Sequence, residues 1–279
     1  MFLYILAQSE IRLLEPNSYV ILNANIFLGD SILERGTIIV RDGRIVSVGK
    51  NVKIPKDVLV LDYSGKFVYP GFIEILRETS KDNLEEIKNL RNLGFTIAQI
   101  IDNDSILRGF TKVIKLKSDS IRSNIILDSS FFVISFQTYK DKYPVSLMGT
   151  IAYIRQFLYD QNIKNVIFLS NGNELNVLRS YKIINEFKLN SLIYGTNKEF
   201  RIVDGLEKNL NLILPLEFID SLSENPTLNE LLNWKFSREN ARILSEYGFI
   251  FALSTKNIKS QEKFLKNLRE LAKRIDENK

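Results

Sequence analysis

The chain has 279 residues, 45% of them apolar and 25% charged, with a net charge of +5; this is the profile of a globular chain large enough for one α/β domain plus a small accessory module. It contains no cysteine and no histidine, which excludes disulfides, thiolate nucleophiles, thiolate metal sites, Ser-His-Asp triads and histidine-ligated zinc or haem. Its lysines are interleaved with Ile and Asn rather than gathered into a basic stripe with aromatic platforms, so nucleic acid is not an expected partner.

The first residues, MFLYILAQ (1–8), resemble the end of a secretory signal peptide. The apolar run has no basic start and is shorter than the ~7–15 residues of a full apolar region. Residues 1–18 are read as an extension or signal remnant, and the compartment stays open between cytoplasm and periplasm. No stretch is long enough to span a membrane.

Residues 19–66 read as β. YVILNANIFLGD, GTIIVRDGRIVSVGK and VLVLD are short Val/Ile-rich runs. Asp42-Gly43 is a two-residue hairpin signal, and Gly36, Gly49 and Gly65 punctuate the other turns. A small antiparallel sheet module is expected.

Residues 67–279 alternate short apolar runs with amphipathic helices. Strands are expected at 72–76, 95–102, 165–170, 191–195, 212–216 and 249–255. NIILDSSFFVIS is β-like without a clear boundary. Helices are expected at 82–93, 149–161, 173–187, 198–209, 238–247 and 261–276. The last carries Phe264, Leu265, Leu268 and Leu271 on one face. Such alternation predicts a parallel sheet with crossover helices. About seven strands suit a TIM-type (β/α) barrel, compact or incomplete, because roughly 210 residues remain where such a barrel takes about 250.

Several of these segments resemble the amidohydrolase superfamily, and within it the imidazolonepropionase-like amidohydrolases. They are NANIFLGD, GTIIVRDGRIVSVGK, VLVLDYSGKFVYPGFIEI, GFTIAQIIDND, YPVSLMGTIAYIRQFLYD, SLIYGTNKEFRIVDGL, ENARILSEYGFIFALST and FLKNLRELAKR. The resemblance spans roughly residues 19–272. It implies a half-sandwich leading into a TIM-type barrel, a zinc centre, and hydrolysis of non-peptide C–N bonds in cyclic or linear amides.

The chain departs from the family pattern where the metal belongs. The two histidines implied on the first barrel strand are Leu76 and Glu78 here, and the aspartate implied after the last strand is Lys256. An ammonium there repels a divalent cation. The reading is a degenerate member without the metal ligands, a non-catalytic scaffold or companion subunit, with no cofactor expected. The family also continues past its last barrel helix into strands that complete the small sandwich. Ending at Lys279, the chain is expected to leave a sheet edge exposed, and hence to form a homo- or hetero-oligomer with an intact amidohydrolase.

One alternative keeps chemistry. Glu74, Glu78, Asp102 and Asp104 fall near the ends of the first two predicted barrel strands, and oxygen ligands alone suit Mg²⁺ or Mn²⁺. Ligands borrowed from a partner are another route. Lys256 itself is read either as a Schiff-base nucleophile or, preferentially, as the partner of Glu74 or Glu78 in the metal's place. Tyr143–Gly149 is read as a helix entry set by Pro144, Ser146 and Gly149. Arg155 and Gln156 face either a pocket or the sheet, and Ser254 and Thr255 either a ligand or the next loop.

Overall fold

The structure is a computed structural model that describes residues 17–56, 58–79, 84–102, 104–117, 124–219, 221–256, 258 and 260–276. The signal-like residues 1–8 lie outside it. The chain divides into two compact units between Pro70 and Gly71, a few residues beyond the expected boundary at 66. The reason is β5 (Phe67–Val68), which pairs with β1 (Tyr19–Phe27) and so belongs to the first unit.

The first unit is a five-stranded sheet in which β3 (Arg44–Gly49), β2 (Ile32–Arg41), β1 and β4 (Leu59–Asp62) lie side by side, with β5 also on β1. It is not purely antiparallel as expected: β4 and β5 run parallel to β1. Asp42 and Gly43 form the predicted hairpin turn, both with positive φ (50° and 71°), the combination that a right-twisted two-residue hairpin requires. Gly36 is not a turn but sits inside β2 opposite Ala24, at a register irregularity. A Cβ there would meet Ile26 Cδ1 at 2.5 Å, so glycine lets β1 and β2 close. Ala24, Ile26, Ile38 and Val40 form the unit's core. On the outer strands Ile45, Val46 and Leu59 are exposed.

The second unit holds two sheets. In the six-stranded one, β11 (Phe132–Ser135), β12 (Asn165–Leu169), β13 (Asn190–Tyr194), β14 (Asn211–Pro215) and β15 (Ile250–Ser254) run parallel in chain order. Strand β8 (Leu107–Phe110) lies antiparallel on β11. The four-stranded sheet pairs β6 (Phe72–Glu78) parallel with β7 (Phe95–Ile101), followed by antiparallel β9 (Lys112–Lys115) and β10 (Ile125–Leu127). The chain passes between the sheets at Thr111, which is fully buried and whose hydroxyl bonds Gln99 and both backbone groups of Phe131. Among the described residues no single hydrogen-bonded sheet runs through all these strands. The sheets are mixed where a purely parallel one was expected.

The helices are α1 (Leu84–Asn92), α2 (Leu147–Gln161), α3 (Glu174–Phe187), α4 (Leu228–Ser237), α5 (Asn240–Glu246) and α6 (Gln261–Asp276). On α6, Phe264 and Leu271 are buried, with Leu265 and Leu268 packed beside them. Ser146 caps α2 by accepting from Gly149 N, and a Cβ on Gly149 would meet Pro144 Cβ at 3.0 Å. The Tyr143–Gly149 stretch is thus a helix entry. Arg155 and Gln156 are exposed on α2, bonded to Glu186 and Asp160.

The helices differ from expectation at two places. The helix at 198–209 is replaced by two short 3₁₀ turns, Glu199–Arg201 and Val203–Gly205. Asn240 of α5 takes the Phe200 amide (2.8 Å) and the Glu199 carboxylate (2.8 Å), and that carboxylate also bends back to Thr196 N (2.6 Å). Helix α4 was not anticipated, although Thr227 and Glu230 form a complete capping box around its first turn, a pattern visible in TLNE.

Two apolar layers cover the strands of the second unit. Alternate side chains such as Val166, Phe168, Ile193, Leu212 and Leu214 join the helices in the large core. Their neighbours Ile167, Leu169, Tyr194 and Ile213 join Leu76, Ile101 and Val133 in a second core drawn from strands alone. The period-2 alternation of strands is what separates the two layers.

Candidate functional site

The expected site residues on β6 fall on its two opposite faces. Glu74 is in register with Ala98, which packs in the helix-side core; Glu78 is in register with Ile101, which belongs to the strand-only core. Between them β6 carries one extra residue relative to β7, since Glu74 pairs with Ala98 but Arg77 with Ile100. Such a bulge re-aims side chains. It turns Arg77 to the helix side and leaves Leu76 buried in the strand-only core at 2% exposure.

Glu74 is fully buried. Its Oε2 accepts from Thr255 N at 2.9 Å and Thr255 Oγ1 at 2.5 Å. Oε1 has no partner at hydrogen-bond geometry. Burial pushes this carboxyl up, against the Thr255 and Ser254 hydroxyls, the Thr255 amide and the Arg77 charge, all of which favour ionisation. Arg77, 5% exposed, donates to the Thr255 carbonyl at 2.9 Å and pairs with Glu86 of α1 at 2.6 Å. One residue past β15 therefore anchors both Glu74 and Arg77 of β6.

Glu78 closes a different contact between the same strands. Lys256 Nζ stands 2.6 Å from its Oε1, and Arg108 Nη1 lies 3.3 Å from its Oε2. Arg108 is buried, and its Nη2 reaches Asp104 at 3.1 Å. Burial raises the Glu78 pKa. The Lys256 hydrogen bond and charge, joined by those of Arg108, outweigh burial and hold the carboxyl below the usual carboxylate range. Lys256 also lies over the Tyr194 ring, 5.6 Å from its centroid. The Tyr194 hydroxyl donates to Ser254 Oγ at 3.1 Å, and burial pushes that phenol well above its ordinary value.

The four acids do not gather. Glu74 faces the helix side, Glu78 is held by two cations, and Asp102 and Asp104 are exposed beyond β7. Among the described residues no group of three or more Asp, Glu, His or Cys side chains is placed to hold a metal ion. The sequence reading missed Arg77 and Arg108. Neither has a signal in a linear motif, because one depends on a bulge and the other on a short antiparallel strand at the edge of a parallel sheet. Ser254 and Thr255 turn out to face Tyr194 and Glu74.

At the carboxyl ends of β12–β15 the turns enclose a cleft of about 230 Å³, with Lys198 and Lys256 in its lining. The carboxyl ends of parallel strands are where α/β sheets bind ligands. Among the described residues no helix is long and apolar enough to cross a membrane.

No family model matches the sequence, and no curated protein matches it. Solved structures do. An amidohydrolase from Thermotoga maritima MSB8 is 18% identical with a TM-score of 0.72, covering 92% of this chain and 86% of its own. A putative prolidase from Bifidobacterium longum is 14% identical (TM-score 0.56; 93% and 79% covered). The L-hydantoinase of Arthrobacter aurescens is 10% identical (TM-score 0.52; 91% and 73% covered). With its mixed α/β architecture and these likenesses over nine-tenths of its length, the chain shares the fold of these solved structures.

Proposed function

We propose that the chain is an amidohydrolase-superfamily protein, imidazolonepropionase-like in descent, that has exchanged the family's zinc centre for an ion-pair network and serves as a non-catalytic scaffold or companion subunit. In this reading β6–β15 are the wall of a compact (β/α) barrel. Its first and last strands are joined by side chains: Glu74 and Arg77 to Thr255, and Glu78 to Lys256.

The observation that carries the reading is the Lys256–Glu78 pair at 2.6 Å, with Arg108 on the carboxylate's other oxygen. Where the resemblance implies two histidines and an aspartate around zinc, there are an apolar Leu76, a neutralised Glu78 and an ammonium. Zinc takes Cys, His and carboxylate ligands in a tetrahedral set, and the residues present do not fit it. A carboxylate already shared by two cations has little capacity left for a third, and the chain supplies no imidazole or thiolate. No hydrolytic step through a metal is therefore derived. The exposed Ile45, Val46 and Leu59 of the first unit support the companion role, since apolar outer strands are commonly covered by a partner.

The test is metal analysis of the purified chain after dialysis against zinc, with size exclusion on the same sample. No zinc above background, and unchanged thermal stability in a chelator, are expected. Zinc retained at one per chain overturns the reading.

A further inference from the structure

The cleft beside Lys256 is built for charge. Gly172 beyond β12, Thr196 and Lys198 beyond β13, and Lys256 beyond β15 line it together with Asn233 and Ser237 of α4. Lys198 Nζ donates to the Gly172 carbonyl at 3.1 Å. That is a neutral partner, and among the described residues no ion pair is formed by Lys198. Lys256 keeps more than a third of its side chain exposed while holding Glu78. Glu217 lines the same cleft, and Lys256 is already held by Glu78 while leaving part of its side chain open, so Lys198 is the ammonium of the cleft whose hydrogen bond is to a neutral group. The Ser237 hydroxyl adds a separate observation. The residue is 6% exposed and its Oγ is buried with no hydrogen-bond partner. A buried polar atom of this kind calls for a partner.

We propose that this cleft is a binding site for a small organic anion, a compact carboxylate held by Lys198 and Lys256, with the Ser237 hydroxyl as a further donor. The inference rests on the reading that no metal sits at Glu78, because that leaves Lys256 on the cleft side. A cleft of about 230 Å³ equals roughly seven or eight waters at ~30 Å³ each. A molecule of few carbon atoms fits within that volume. Two ammonium groups select charge, since a charge-assisted hydrogen bond is about twice as strong as a neutral one. The apolar side chain of Ile219 and the ring of Pro215 give the carbon skeleton an apolar contact.

Isothermal titration at neutral pH and low salt, with succinate, its uncharged diamide and inorganic phosphate as probes, tests the site. Succinate is expected to bind and the diamide not to bind. Lys198→Gln should weaken succinate by at least ~10-fold, as loss of a charged hydrogen bond does. Lys198→Arg should retain most of the affinity, and Ser237→Ala should lose ~3-fold or more. Melting curves of all variants confirm folding, and Lys198→Arg guards against a structural artefact. Undetectable succinate binding, equal affinity for the diamide, binding untouched by Lys198→Gln, or phosphate bound while succinate is refused would each overturn the proposal. Zinc content measured on the same samples separates the two claims. Failure to bind with no zinc sinks the anion site alone, whereas retained zinc sinks the reading beneath it.

Discussion

Glu74 and Glu78 lie four residues apart on one strand and have opposite fates. Glu74 is buried on the helix side against neutral donors, and burial raises its pKa. Glu78 is partly open on the inner side between two cations, which lower its pKa. The strand supplies the same chemical group twice, and the register decides what each becomes. The bulge before Arg77 is the physical device. Without it, residues 74, 76 and 78 would share one face. With it, the helix side gains a cation for α1 and the inner side keeps Leu76 as apolar filler. Residues after β15 complete both halves, Thr255 for the buried side and Lys256 for the open side.

The buried half should be the costlier to break. Arg77→Ala removes a guanidinium that is 5% exposed and takes its ion pair from Glu86 and its hydrogen bond from Thr255. Thr255 O still accepts from Ile258 N, so the loss falls mainly on the buried ion pair. Breaking such a pair costs about 3–5 kcal/mol, to be read as a drop in the urea midpoint at unchanged slope. Arg77→Lys keeps the charge but not the fork and should fall between. A loss under ~1 kcal/mol for Arg77→Ala would show that the helix side does not tie the two strands together.

Most of this was legible only in part. Most of the longer strands and helices from Phe72 onward follow from apolar periodicity, and the placement of Lys256 opposite the first strand follows from the resemblance of LSTK to the end of a last strand. Periodicity cannot announce a bulge, so Arg77 stayed hidden inside FIEILRE. It also cannot announce strands as short as β8 and β9, whose Leu107–Phe110 and Lys112–Lys115 are too brief to establish a period, and Arg108 was hidden with them. In place of the helix expected at 198–209 stand two 3₁₀ turns held to Asn240, some forty residues away, a contact that no local pattern announces. The four-acid cluster failed for a related reason: closeness in sequence to a strand end does not say which face a side chain takes.

On the open half, Lys256→Met should cost about 1 kcal/mol, because a partly exposed pair is screened by water and Arg108 remains on Glu78. Its pH signature discriminates better than its size. A carboxyl whose folded pKa lies below its ordinary 4.5 stabilises the fold above that value and loses the contribution as pH falls through the folded one. Removing Lys256 brings the folded value back toward 4.5, so the acid-side loss of stability between about pH 5 and 3 should shrink in the variant. Identical acid limbs for the two proteins would mean that the pair contributes nothing in solution.

Glu74→Gln should have the smallest effect near neutrality and the opposite pH dependence. Gln is isosteric, its carbonyl accepts the same Thr255 amide and hydroxyl, and its Nε2 takes the place of the unpartnered Oε1. The wild-type carboxyl has a folded pKa above 4.5. Its stabilisation is fully present below that value and is lost as pH rises through the folded one. Gln cannot ionise and loses nothing over that range. The stability of wild type relative to Glu74→Gln should therefore decline from about pH 4.5 upward, leaving the variant within about 1 kcal/mol of wild type or above it at pH 7. If Glu74→Gln is instead destabilised by several kcal/mol at every pH, the negative charge itself is needed at this position. The helix-side carboxylate would then be neutralising a cation, as Glu78 does, and the contrast between the two ends of β6 would collapse.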